Sequence, residues 1–216
     1  MILFPSKGDM HNNCNPAVSV VIPCYNSANY LSETVQSVLV QNSSDYEIIL
    51  VDDGSTDSTA TVISEVIDNN QQVNISHLFQ ENQGVAAARN YGISKARGRY
   101  ILPLDADDLI SGETLVESVA ILDENSNISV VYGDRIDFGD IDEYWVAGKF
   151  DLSYLKYFNQ LAYCCLYRKS AWEELGGYRE NISGFDDWGF WISLASGGYQ
   201  ACYIAKPFLQ HRRHRS

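Results

Sequence analysis

Basic side chains are scarce in this sequence. Lys and Arg number 15 against 28 Asp and Glu, for a net charge of −13 at pH 7. That balance argues against a general nucleic-acid binder, whose surface carries positive charge to neutralise phosphates. It leaves room for a small phosphorylated ligand, because a bound cation reverses the local sign. Cysteine gives no framework either. There are five, Cys14, Cys24, Cys164, Cys165 and Cys202, an odd number with no CxxC pair. They read as free thiols in a reducing compartment rather than as disulfides or a zinc site. No apolar run approaches the ~20 residues a membrane span needs. The opening "MILFPSKGDMHNNCNP" lacks a basic start followed by a long apolar stretch, so no signal peptide is expected. The expectation is a soluble, cytoplasmic protein, with loose association at the inner face of the membrane left open.

Apolar material, by contrast, is ample. Of 216 residues, 45% are hydrophobic and 20% charged, as in a globular chain with a substantial core. Val18–Ile22, Tyr46–Val51, Tyr100–Leu104 and Ile128–Tyr132 are short apolar runs that read as buried strands, and Val73–Phe79 is a weaker one. Leu31–Val40, Ser58–Ile67, the Ala-rich stretch opened by Gly84, and Leu115–Leu122 show helical spacing. This β-α alternation predicts an α/β fold with a mostly parallel central sheet and helices on both faces. After Gly133 the rhythm fades and aromatic residues become dense, so a smaller lobe on the same sheet is expected. The expected organisation is a tail (1–17), a first half (18–133) and a second half (134–216), all in one continuous domain. The basic end "HRRHRS" stops with no folded element after it, and reads as a cut or disordered end.

Three polar motifs, "PCYN", "DDGSTD" and "DADD", follow strands directly. In parallel sheets that edge is where ligands bind. Asp105, Asp107 and Asp108 crowd three carboxylates into four residues, a repulsion that a cation relieves. Asp105 and Asp107 share a side if the backbone stays extended, and paired hard oxygens suit Mg2+ or Mn2+. A helix cap needs only one Asp. A calcium loop fails because Leu109 stands at the third ligand position and Gly112 comes late. A phosphatase-type DxD usually follows a domain's first strand, which here ends in "PCYN". Asp52 and Asp53 end a buried strand, where a carboxylate needs a partner. Arg89 is either a surface residue or a cation near a helix N-terminus that favours phosphate. In "GFDDWGF", Asp186 or Asp187 reads as a helix N-cap with Trp188, Trp191 and Leu194 packing inward, and two carboxylates beside aromatic groups can also have the raised pKa that a general base benefits from. "HRRHRS" is either a polar tail or a segment folded back on the acidic edge, with His214 on a metal and Arg212 on a diphosphate.

In order and at familiar spacing, "VSVVIPCYN", "EIILVDDGSTDST", "ENQGVAAARNYGI", "GRYILPLDADD", "ELGGYRE" and "GFDDWGFWISLASGGY" resemble the family-two glycosyltransferases, inverting enzymes of the GT-A fold. The resemblance covers Val18 to the C-terminus. It implies that Asp53, Pro23 and Tyr25 meet the base of a nucleotide-diphosphate sugar. It makes Asp105 and Asp107 the DxD pair, with Asp107 as direct ligand to Mn2+ or Mg2+ and Asp105 supporting donor or metal. Arg89 matches a donor-site arginine, and Arg212 and His214 a C-terminal Arg-x-His stretch. Asp187 matches the catalytic base. Gly176, Gly177 and Tyr178, and Asp186 with Trp188, fall in the acceptor region. The implied partners are a nucleotide sugar, with a UDP-sugar favoured, and a saccharide or lipid-linked acceptor. Asp186 stands where the family has Glu, and many relatives carry an acid at Gly189 and an Arg at Ser193. A non-catalytic nucleotide-sugar-binding module is the alternative. A nucleotidyltransferase would need a Gly-rich basic loop after the first strand, and "PCYNSANY" is not one.

Overall fold

The computed structural model describes residues 15–214 apart from 44 and 183. The expected tail as far as residue 14, with Cys14, lies outside the described residues, as do the last two residues of the basic end. Strand β1 (Val18–Cys24) is buried along its whole length. Helix α1 (Leu31–Leu39), strand β2 (Tyr46–Asp53), helix α2 (Thr59–Asn69), strand β3 (Ile75–Gln80), helix α3 (Val85–Lys95) and strand β4 (Tyr100–Pro103) follow. Strands β1 to β4 pair in parallel, in the order β3-β2-β1-β4. Parallel strands covered on both faces have no solvent side, which is why they read as unbroken apolar runs.

Side chains alternate across β1. Val18, Val20 and Ile22 point into one core with Leu31 and Val35 of α1 and Ile63 of α2. Val21 points into the other, with Ala88 and Ile93 of α3. Helix α3 lies close on the sheet because residue 92 is Gly. A Cβ there would come within 2.5 Å of Val21 Cγ1 and 2.9 Å of Val51 Cγ2. One polar group sits inside this layer. Glu47 accepts from Ser19 Oγ (2.7 Å), Arg97 N (2.8 Å) and Arg97 Nη2 (2.7 Å). Burial alone would raise its carboxyl, but these hydrogen bonds prevail and hold it below the usual range.

The second half adds strand β5 (Leu109–Ile110), helix α4 (Thr114–Glu124), strand β6 (Ile128–Gly139), strand β7 (Glu143–Trp145), helix α5 (Leu152–Leu155), strand β8 (Leu166–Arg168), helices α6 (Lys169–Leu175) and α7 (Asp186–Ser196), and strand β9 (Gln200–Arg213). Here the sheet turns mixed. Strand β8 is antiparallel to β4 and β6, β9 is parallel to β6, and β5 is antiparallel to β9. The architecture is an α/β sheet with helices on both faces, since α4 joins the face of α1 and α2 while α7 joins that of α3.

Two elements differ from the sequence-based expectation. Strand β6 runs seven residues past Tyr132, to Gly139. The basic end is not a tail as far as Arg213, because it completes β9, with Arg213 opposite Gly139. Cys24, Cys164, Cys165 and Cys202 are free thiols, as expected. Among the described residues no helix is long and apolar enough to cross a membrane.

Candidate active site

The loops leaving β1 and β2 are bound to each other. Asn26 takes a positive φ of 50°, which Asn tolerates better than most residues. Its Oδ1 accepts from Thr56 N (2.8 Å) and its backbone N–H donates to Ser55 Oγ (3.1 Å). Ser27 N donates to Thr59 Oγ1 at 2.8 Å. The chain is thereby held so that Pro23 and Tyr25 line a cleft of about 400 Å3 whose other wall carries Asp105, Asp107 and His214. Tyr25 is 53% exposed there, a large ring open to solvent beside a polar edge. Asp53 faces elsewhere in its hydrogen bonding. Its two oxygens accept from Gln80 Nε2 (2.7 Å), Gln83 N (2.9 Å) and Gly84 N (2.9 Å), so it fixes the entry to α3.

The acidic cluster divides into three environments. Asp108 N donates to the Asp105 carbonyl (3.1 Å), so the segment is a turn, not extended, yet Asp105 and Asp107 both reach the cleft. Asp107 Oδ2 lies 2.8 Å from His214 Nε2, both groups partly exposed. Asp105 accepts from Arg89 Nη2 at 2.6 Å, and burial together with neighbouring carboxylates raises it despite that cation. Asp108 does more than start a turn. Its oxygens accept from Tyr163 Oη (2.6 Å) and Arg212 N (2.7 Å), and burial, with Asp105 next, pushes its carboxyl up to about 8. Arg212 is engaged through Nε and Nη2. Its side chain donates to the Asp107 carbonyl (2.8 Å) and to Glu33 (2.5 Å), and stacks over Tyr30 and Phe138. Thus β9 clamps the acidic turn and delivers His214 to Asp107.

Arg89 is no surface residue. It is 4% exposed and bridges Asp105 to Asp186, whose Oδ2 accepts from Nη1 at 2.7 Å. The rings of Tyr163 and Tyr178 cover its guanidinium at 5.0 and 5.8 Å. Its charge is spent on two carboxylates, one from each acidic motif.

Asp187 opens on a second, smaller cavity of about 150 Å3, lined also by Asn159, Tyr163, Arg135, Trp145 and His211. Its Oδ2 accepts from Asn159 Nδ2 (3.1 Å) and its Oδ1 from Trp188 N (2.7 Å). Burial raises its carboxyl above the usual range, and the bond from Trp188 and the charge of Arg89 only partly oppose this. Trp188 Nε1 donates to the Leu155 carbonyl at 2.6 Å and so ties α7 to α5. Tyr178 lies in the core against Phe190. Gly177 has φ +80° and abuts Asn90, whose side chain holds Tyr178 N and the Tyr178 carbonyl at 2.9 Å. Gly189 leaves room for Ile182, which a Cβ would approach to 2.6 Å, and Ser193 Oγ donates to the Gly189 carbonyl (2.9 Å).

Tyr163 and Arg89 link the residues of the acidic turn to those around the cavity. Tyr163 bonds Asp108 and lines the Asp187 cavity, while Arg89 joins Asp105 to Asp186. Sequence reasoning passed over Tyr163, Asn159 and Asn26. Asn26 had a signal, as the last residue of "PCYN", two positions past a buried strand. Tyr163 and Asn159 had none, since neither belongs to a local pattern.

The sequence model "Glycosyl transferase family 2" matches residues 19–182. The chain is 32% identical to a "Putative teichuronic acid biosynthesis glycosyltransferase TuaG" of Bacillus subtilis over 204 residues, 93% of this chain and 80% of that protein. Three other curated relatives are longer, and the chain spans between 41% and 60% of their length. Among solved structures, S. aureus TarS 1–349 in complex with UDP-GlcNAc superposes with a TM-score of 0.77 at 21% identity, over 92% of this chain and 59% of that one. The mannosyltransferase PcManGT of Pyrobaculum calidifontis, in complex with GDP-Man and Mn2+, gives 0.70 at 22%, over 97% and 60%. Those likenesses are of fold, and the fold is GT-A.

Proposed function

This chain belongs to glycosyl transferase family 2, and from that premise we propose that it moves a sugar from a nucleotide-diphosphate sugar to an acceptor hydroxyl, inverting the anomeric carbon. The observation that carries the reading is the joining of two acidic sites at one sheet edge. Asp105, Asp107 and His214 line the larger cleft, Asp187 the adjoining cavity, and Arg89 bonds an acid from each motif. Pro23 and Tyr25 offer the base a wall and an open ring. Asp53 uses three of its roughly four acceptor sites on Gln80 and the α3 entry, which leaves one on Oδ2 for a base N–H. Nucleotide sugars are the ligands of both structural neighbours, which supports that donor class, a UDP-sugar first.

Divalent metal fits the residues present. Asp107 and His214 offer an oxygen and a nitrogen at one point of the cleft wall. Among the described residues no cluster of three or more such groups forms a complete cage. Metals bound by one or two protein groups plus substrate phosphates follow that pattern. The mixed donors favour Mn2+ over the strictly oxygen-seeking Mg2+. When bound, the ion would neutralise negative charge on the diphosphate.

Asp187 takes the proton from the acceptor hydroxyl as that oxygen forms the new bond to the anomeric carbon. The bond to the diphosphate breaks, and its electron pair leaves with the diphosphate. Asn159 orients the carboxylate, and burial makes it a stronger base than an exposed Asp. The acceptor is a saccharide or lipid-linked hydroxyl, in the building of a cell-surface polysaccharide or glycolipid. The test is Asp187→Asn. Transfer should fall by about 10²- to 10⁴-fold while nucleotide-sugar binding persists. Full transfer by the variant would refute the assignment. A non-catalytic binding module would show no metal-dependent hydrolysis of a UDP-sugar above background in the wild type.

A further inference from the structure

The cavity beside Asp187 holds two basic side chains that proton transfer does not require. Arg135 and His211 line it, and behind them sits Asp137, 5% exposed. Asp137 meets Arg135 Nε at 2.6 Å, His211 Nδ1 at 3.2 Å and Arg213 Nε at 3.9 Å. With His211 neutral, the guanidinium charges of Arg135 and Arg213 are balanced by Asp137 and the Asp187 carboxylate. Local neutrality at an acidic site is a departure from a chain of net charge −13. Arg89 lowers the Asp187 carboxyl against the larger rise from burial, while Arg135 and His211 are held by Asp137. Arg135 is also held in place, its guanidinium 5.0 Å over the Trp145 ring.

We propose that the acceptor bears an anionic substituent, a carboxylate or phosphate, close to its reacting hydroxyl, and that Arg135 and His211 receive it inside the Asp187 cavity. The inference rests on the glycosyltransferase reading and deepens it by naming the acceptor class. A planar guanidinium matches either anion with paired hydrogen bonds. The cavity, about 150 Å3, admits the reacting end of an acceptor rather than a whole oligosaccharide.

The His211 imidazole is itself the reporter. Its NMR signals are followed in the full chain, without metal, during titration with inorganic phosphate, with acetate and with neutral methyl glucoside. Saturable shifts at His211 are expected with at least one of the two anions and not with the glucoside. Comparing phosphate with acetate tells which anion the site prefers. Arg135→Gln should weaken the anion's binding on the order of tenfold or more, the scale of one charge-assisted hydrogen bond. Asp187→Asn should leave it in place. The proposal is overturned if neither anion shifts His211 in the wild type, if the glucoside does so equally, or if a folded Arg135→Gln binds the anion undiminished. The wild-type comparison decides alone if that variant does not fold. A thermal-shift measurement with UDP-GlcNAc and Mn2+ on the same sample separates the two claims. A donor response without a His211 response removes this inference only, whereas no response to any nucleotide sugar removes the reading beneath it.

Discussion

At the scale of single residues, burial is what sets the chemistry. Asp187 has its carboxyl raised chiefly by burial, and as the proposed base it would act as the carboxylate. The acid limb of kcat/KM should therefore lie above the ordinary Asp value of about 3.9. Asn159→Ala removes a donor that favours the charged form (3.1 Å), so it should move that limb further up. A limb at or below the ordinary value, measured over a pH series, would count against Asp187. For stability the sign is opposite. A carboxyl raised in the fold is most favourable when protonated, below its unfolded value, and that contribution is lost as pH rises through the folded value. Asp187→Asn should then fold more stably at neutral pH while losing activity, the usual trade at a strained site. Glu47 is the reverse case, held low by Arg97 and Ser19 once their bonds overcome the effect of burial. Its contribution is present above its unfolded value and lost as pH falls through the lower folded value. Glu47→Gln should cost on the order of 1–3 kcal/mol at pH 7. Arg97, 54% exposed, turns to water, so a full buried-charge penalty is avoided. Urea unfolding should show the difference between wild type and variant shrinking below about pH 4.

At the scale of elements, the close seat of α3 on the sheet decides where Arg89 stands. Gly92→Ala gains about 1 kcal/mol of helix propensity. It also forces a methyl to 2.5 Å from Val21 and 2.9 Å from Val51. Both valines are fully buried and stiff at χ1, and overpacking of this kind costs about 1–3 kcal/mol. The clash should win, lowering the urea midpoint, and the displaced helix should cut transfer because Arg89 lies one turn earlier. An unchanged midpoint would mean that the sheet yields more easily than its packing suggests. The same elements explain what could be read from the sequence. Strands β1, β2 and β4 were legible because both faces are buried, leaving unbroken apolar runs. The end of β6, "DRIDFG", was not, because Asp134 and Asp137 are buried as acids. Asp134 is satisfied by Tyr144, Tyr203 and Ala147 N, partners that no local pattern announces. Strand β9 was hidden by its polar end and by a register shift that sets Asp134 opposite Pro207. At the site, Asp105 and Asp107 were visible through their mutual repulsion. The roles of Asp108 and Tyr163 were not, since they depend on β9 and on a loop some 55 positions away.

At the scale of the whole molecule, the charge balance works against its own donor. The chain carries −13, and the cleft adds Asp105 and Asp107 to its wall, with Arg89 and Arg212 both engaged by acids. Among the described residues, a nucleotide diphosphate entering there meets like charge, with the guanidinium groups of Arg89 and Arg212 already bonded to acids. The field therefore predicts that donor and divalent metal bind as a pair, each weak alone. Thermal unfolding makes this measurable. A ligand at 100 times its Kd stabilises the fold by about 2.7 kcal/mol. For a chain of this size that is about 5–10 °C in Tm, at roughly 2–4 °C per kcal/mol. UDP-GlcNAc with Mn2+ is the first pair to try, with other nucleotide sugars behind it. Either component alone should give only a small part of the shift, and Asp107→Ala should lose the metal-dependent part while keeping its fold. If a nucleotide sugar in EDTA raised Tm as much as it does with Mn2+, the acidic wall would not be a metal site. Asp107 and His214 would then be a lock between the acidic turn and the end of β9, and among the described residues charge relief at the diphosphate would fall to Arg89 letting go of Asp105.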